Sequence, residues 1–158
     1  GVQTCALPIW TAWLDSGLRD YPIAATYSNN LVNHEQGLND DTLPMSSYIQ
    51  TSDFDLLDGD QFLLIKRIIP DVEFSGSSTT ENPNPKVTFT MRPRNFPGTA
   101  YGTSPAKDVI TTNVDNYTSQ VFMRARARQM AMEISSADLG VQWQLGSPRL
   151  DGRPDGKR

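Results

Sequence analysis

Apolar residues recur at every second position in several stretches of the chain, the period that lays one face of a β-strand against a core. Lys86–Arg92 (KVTFTMR) puts Val87, Phe89 and Met91 on one side and Thr88 and Thr90 on the other, predicting a half-buried strand. Gln61–Ile69 (QFLLIKRII) is apolar on both faces except at Lys66 and Arg67. It reads as a strand buried for most of its length, entered through the turn dipeptide Asp58-Gly59. Ser46–Thr51 and Pro22–Ser28 are shorter candidates. In 120–134 (QVFMRARARQMAMEI) the Ala, Met, Gln and Arg content favours helix, whereas the alternation of Arg124, Arg126 and Arg128 with Ala125 and Ala127 favours strand. A helix would spread those arginines over roughly 200° and mark no face, so a single strand is the reading. Gly140–Leu145 alternates again, with Val141, Trp143 and Leu145 on one side, and Ser135–Leu139 reads as the hairpin connection before it.

Between these segments lie two long stretches rich in Ser, Thr, Asn, Gly and Pro, Ser75–Pro85 and Phe96–Tyr117, which read as loops that carry function or form interfaces. Six to eight short strands with polar turns predict an all-β fold of antiparallel sheets: a sandwich, a barrel or a segment of a propeller. Phe62, Leu64, Val87, Phe89, Met91 and Trp143 are the expected core. With 158 residues the chain is long enough to bury a core without metals or disulfides. It has no run of about 18 apolar residues, the length a membrane-spanning helix needs.

Residues 1–9 (GVQTCALPI) continue none of these patterns and look like the in-frame translation of a sequencing-adapter read. They are set aside as an expected artefact. The one cysteine, Cys5, goes with them and says nothing about redox compartment. Charge is divided along the remainder. Residues 10–85 hold twelve acidic and three basic side chains, a net −9, whereas residues 86–158 hold eleven basic and six acidic ones, a net +5. The whole chain at −4 is a poor start for phosphate affinity. Attraction between the halves, or between neighbouring copies, is the preferred reading.

Candidate chemistry is sparse. Asp53, Asp55, Asp58 and Asp60 form the densest carboxylate group, with the Gly turn and oxygen ligands that calcium favours. Leu56 and Leu57 interrupt the spacing and no Glu closes the loop, so an acidic turn between strands is the simpler expectation. His34-Glu35 is the one acid–base pair involving His, but neighbours on a strand point to opposite faces. Nucleophile-elbow, phosphate-loop, dinucleotide-binding and zinc-protease motifs are absent from the sequence, and no enzyme activity or cofactor is expected. More informative is the stripe Arg124, Arg126, Arg128. On a strand its guanidiniums share one side about 6.6–7 Å apart and call for carboxylates, phosphates or water. Pairing with acidic strands of this fold or a neighbour is expected first, and contact with DNA second.

Four segments occur in order: Asn33–Gly37 (NHEQG), Ile68–Val72 (IIPDV), Arg94–Gly98 (RNFPG), and the tail from Arg124 (RARARQMAMEISSADLGVQWQLGSPRLDGRPDGKR). Over about Trp13–Arg158 the chain thereby resembles the C-terminal part of short-tailed bacteriophage virion proteins of the tail nozzle and packaged-DNA-stabilisation type. The resemblance implies a β-propeller-like protein that forms a ring at the tail end and helps retain the genome. Residues 10–158 would be the C-terminal all-β region of such a protein, a partial propeller or sandwich-like fragment. Its partners would be other copies in a ring, neighbouring tail proteins and, non-specifically, packaged DNA, with no membrane anchor. It would be assembled in the host cytoplasm and reside in the virion. The alternative is a receptor- or carbohydrate-binding β-module at the virion surface, for which Tyr101 and Tyr117 are the candidate aromatic platform.

Overall fold

The computed structural model describes residues 10–56, 59–101 and 109–157. Residues 1–9 and Asp58 lie outside them, and so do the expectations that fall there. Every regular element described is a strand and every ladder is antiparallel, so the all-β antiparallel class is the one observed. The chain divides into two compact units, residues 1–37 and 38–158.

The first unit is a three-stranded sheet, β1 (Trp10–Leu14), β2 (Ile23–Thr26) and β3 (Leu31–Asn33), with β2 central. β2 is the strand expected within Pro22–Ser28, and its Ala24 is buried. Asn29 turns the chain between β2 and β3 in the left-handed region, φ 62°, where Asn is among the best-tolerated residues with a side chain.

The second unit begins with a two-stranded hairpin, β4 (Asn39–Asp40) and β5 (Leu43–Pro44). Then come β6 (Ser47–Gln50), β7 (Phe54–Asp55), β8 (Leu63–Ile69), β9 (Val72–Glu73), β10 (Lys86–Arg94), β11 (Ile110–Asp115), β12 (Val121–Ala127), β13 (Gln129–Ser136), β14 (Gln144–Leu145) and β15 (Arg149–Pro154). One sheet runs β11-β10-β13-β6, with β7 also on β13, and the other runs β12-β8-β15. The two share one core. Val87, Phe89, Met91, Val114, Met130, Met132 and Ile134 come from the first sheet, and Ile65, Ile68, Val121, Met123, Ala125 and Ala127 from the second. This is sandwich packing, and none of the sheets closes into a barrel. Phe62 and Leu64 are buried as expected, but Trp143 is half-buried at the core margin, its Nε1 donating to Ser47 Oγ at 2.9 Å.

Four expectations are corrected. The single strand through 120–134 is two strands in different sheets. β12 pairs with β8, β13 pairs with β10, and the chain changes sheets at Arg128. The inward residues are odd-numbered before that corner (Val121, Met123, Ala125, Ala127) and even-numbered after it (Met130, Met132, Ile134), because each strand meets the shared core from its own side. Ser135–Leu139 is no hairpin connection: β13 runs to Ser136, and β14 pairs with β9. Several strands arise where none was expected, β1 and β3 among them, and two more flank the larger sheets. β11 lies within the presumed loop Phe96–Tyr117, where β-branched Ile110, Thr111, Thr112 and Val114 pair with β10. β15 is exposed throughout and adds to β8 by backbone pairing, so no apolar alternation announces it. With these and several two-residue ladders, the described strands number fifteen rather than six to eight.

Candidate functional site

The outer face of the β12-β8-β15 sheet gathers the largest set of chemically active side chains. β12 turns Val121, Met123, Ala125 and Ala127 inward, which leaves Phe122, Arg124 and Arg126 outside. Antiparallel register then sets the rows across the sheet. Arg126 and Arg153 stand on either side of Leu64, Phe122 and Asp151 on either side of Arg67, and Arg149 faces Ile69. Both ladders shift register beside Lys66, an irregularity that leaves this lysine exposed. The ladder continues past β8, with Phe62 N donating to Gly156 O and Asp155 N to Phe62 O, each at 2.8 Å.

The arginine stripe is divided in its work. Arg126 pairs with the Asp155 carboxylate and donates to the Asp155 carbonyl at 3.0 Å. Its guanidinium lies 4.0 Å from the centre of the Phe62 ring, and that of Arg128 lies 5.0 Å from it, a cation–π pair that covers an otherwise surface aromatic. Arg128 sits at the corner and spends its donors on backbone: Gly59 O at 3.3 Å, Asp60 O at 3.5 Å and Lys157 O at 3.1 Å. It ties the turn before β8 to the end of the chain. Arg124 is exposed and makes no hydrogen bond or ion pair with the described residues. The Arg126 hydrogen bond, reinforced by the charges of Arg126, Arg153 and Arg124, holds the Asp155 carboxyl below the usual carboxylate range, against the opposing cost of desolvation.

Four cations join this face that sequence reasoning did not assign to it. Arg67 pairs with Asp151 at 3.1 Å and donates to Gln120 at 3.2 Å. Lys66, Arg149 and Arg153 are exposed and form no hydrogen bond or ion pair among the described residues, though the Arg153 charge acts on Asp155. They come from segments more than fifty residues before and twenty after the stripe. The only signal that could have gathered them is the β8 and β15 register, and β15 has no apolar pattern.

The carboxylate group is dispersed. Asp53 pairs with Arg94 and accepts from Tyr101 OH at 2.6 Å. Asp55 accepts from Gln129 Nε2 at 3.3 Å, and Asp60 pairs with Lys157 at 3.1 Å. Asp58 lies outside the described residues, among which no group of three or more metal-ligating side chains occurs. His34 and Glu35 also go separate ways. The His34 ring is clasped between Trp10 (centroids 4.4 Å apart) and Trp13 (4.7 Å), whereas Glu35 is exposed in the left-handed region. Of the two tyrosines, Tyr101 is held by Asp53 and has the Arg94 guanidinium 5.3 Å from its ring centre. Tyr117 stands alone in a turn at 88% exposure.

The sheet margins carry apolar side chains. β6 ends one sheet and exposes Tyr48 (69%) and Ile49. β12 ends the other and exposes Phe122 (74%). Within the first unit, the edge strands β1 and β3 expose Leu14 and Leu31. The largest group of exposed cations lies on the outer face of the β12-β8-β15 sheet, and exposed apolar side chains line the sheet edges. Compared with known proteins, the chain matches no family model and no curated sequence.

Proposed function

We propose that this chain is a structural component of a phage tail or head-to-tail complex, working by association with copies of itself and with neighbouring tail proteins. The observation that carries the assembly part is the set of sheet edges that no other described strand covers and that bear large apolar side chains, Tyr48 and Ile49 on β6 and Phe122 on β12. Unpaired edges of this composition are aggregation sites unless a partner covers them; β6 lacks the charge or proline with which proteins that stay monomeric blunt such edges, whereas β12 sets Arg124 and Arg126 beside Phe122. The phage part rests on the ordered segments NHEQG, IIPDV and RNFPG and the arginine-rich tail. Retention of packaged DNA belongs to the same proposal, as the task of the assembled ring rather than of a site in one copy.

Lysine on an edge disfavours strand addition. Tyr48→Lys with Ile49→Lys is therefore expected to lower self-association, read by analytical ultracentrifugation, while the circular dichroism spectrum keeps its β signature. Unchanged association would remove this edge from the account. Gene neighbourhood tests the phage part: flanking genes for virion structural proteins support it, and an adjacent long fibre-like repeat favours the receptor-binding alternative.

A further inference from the structure

We propose that the outer face of β8, β12 and β15 receives the Asn39–Pro44 hairpin of a second copy of this chain, an inference that rests on the assembly reading above and names its surfaces. The hairpin pairs with no other strand among the described residues and turns through Asp41, φ 57°, and Thr42. Its exposed tip combines two carboxylates, Asp40 and Asp41, with Leu43 (63% exposed) and, just beyond, exposed Met45. It is held firmly at its base. Asn39 Nδ2 donates to both oxygens of Glu81 at 3.0 and 3.1 Å, and Asn39 Oδ1 accepts from Gly140 N at 2.7 Å. A tip anchored in this way is presented at little entropic cost on binding.

The receiving face has the opposite charge and the same mixed character. Arg124, Arg153, Arg149 and Lys66 form no hydrogen bond or ion pair among the described residues, Arg124 and Arg153 acting only as nearby charges on Asp155, and Phe122 stands exposed beside them. Arginine and aromatic side chains together are the composition of interface centres. Guanidinium is weakly hydrated and grips carboxylates through two parallel donors, so unpaired arginines around an exposed ring suit an acidic, apolar-tipped hairpin. A phosphate backbone would match the charge but would leave Phe122, Leu43 and Met45 uncovered. Because the hairpin and the face are different patches, the contact is heterologous, and its repetition builds a ring or a filament.

The test is sedimentation of the full chain as two charge reversals, Asp40→Lys with Asp41→Lys and Arg124→Glu with Arg153→Glu, all at surface positions. Each reversal alone is expected to weaken self-association by about tenfold or more. Mixing the two should restore it, since each then offers the other a complementary surface, and added salt should weaken the unaltered chain. Reversals that associate as strongly as the unaltered chain would overturn the pairing while leaving assembly through the edges standing. An unaltered chain that stays monomeric would overturn both. Salt-steep binding of duplex DNA that disappears in the arginine variant, with association unchanged, would give the face to nucleic acid and overturn the proposal.

Discussion

Phe89 lies at the centre of the shared core, 1% exposed on β10 and paired with Thr112 on one side and Ile134 on the other. Phe89→Ala removes a full core side chain and should cost about 3–5 kcal/mol in urea or guanidinium unfolding. A loss below about 1 kcal/mol would mean that the inward face of β10 is misassigned. Asp155 and Asp115 set a dependence on pH. Both carboxyls are held below their ordinary range, Asp155 chiefly by the hydrogen bond from Arg126 and Asp115 chiefly by that from Thr118. A carboxyl with a lowered folded-state value stabilises the fold above its unfolded value of about 4, and that contribution is lost as pH falls through the folded one. Unfolding midpoints should therefore decline on acidification below about pH 4, and less steeply in Asp155→Asn. An Asp155→Asn chain with the same acid slope as the unaltered one would contradict this role for the Arg126 contact.

Among the elements, the corner at Arg128 has the most to lose from one substitution. Its guanidinium donates to three carbonyls, on Gly59, Asp60 and Lys157, and so joins the start of β8 to the end of β15. Arg128→Ala leaves those acceptors to water and should cost about 1–3 kcal/mol. Hydrogen exchange should quicken around residues 59–62 and 153–157 and stay slow in β10 and β13. Equal quickening everywhere would show that the corner holds the whole sandwich rather than one end. The same corner shows how far the elements were legible. Strand type through 120–134 could be read from alternation, and so could the inward Val87, Phe89 and Met91 of β10, because burial writes itself into period two, although β10 runs on to Arg94 and buries Thr90 as well. The break at Arg128 was also present, as the slip of the apolar set from odd to even numbers after Ala127, but the alternating arginines ran across it and masked the phase change. β15 left no such trace. It is held by backbone pairing to β8, with Gly152 and Pro154 inside it, and a strand exposed on both faces needs no apolar pattern. The basic face was therefore legible only in its β12 third.

At the scale of the whole molecule, the division of charge acquires a location. Six cations, Lys66, Arg67, Arg124, Arg126, Arg149 and Arg153, share one sheet face with two carboxylates, Asp151 and Asp155, while Asp40 and Asp41 of the acidic half sit on a separate anchored hairpin. Some charge is neutralised within the chain, through Arg67 with Asp151, Arg126 with Asp155 and Lys157 with Asp60. The Arg67–Asp151 and Lys157–Asp60 pairs are the more exposed of these and contribute little to stability. On the proposed reading, the cations without an ion pair and the apolar edges serve intermolecular contact. The most direct test is sedimentation velocity of the unaltered chain over a concentration series reaching about 100 μM, where contacts of micromolar strength are populated. If the chain self-associates through these surfaces, its sedimentation coefficient rises with concentration toward a discrete oligomer and falls back when salt is added. A single monomeric species across the whole series, at low salt as well as high, would contradict self-association.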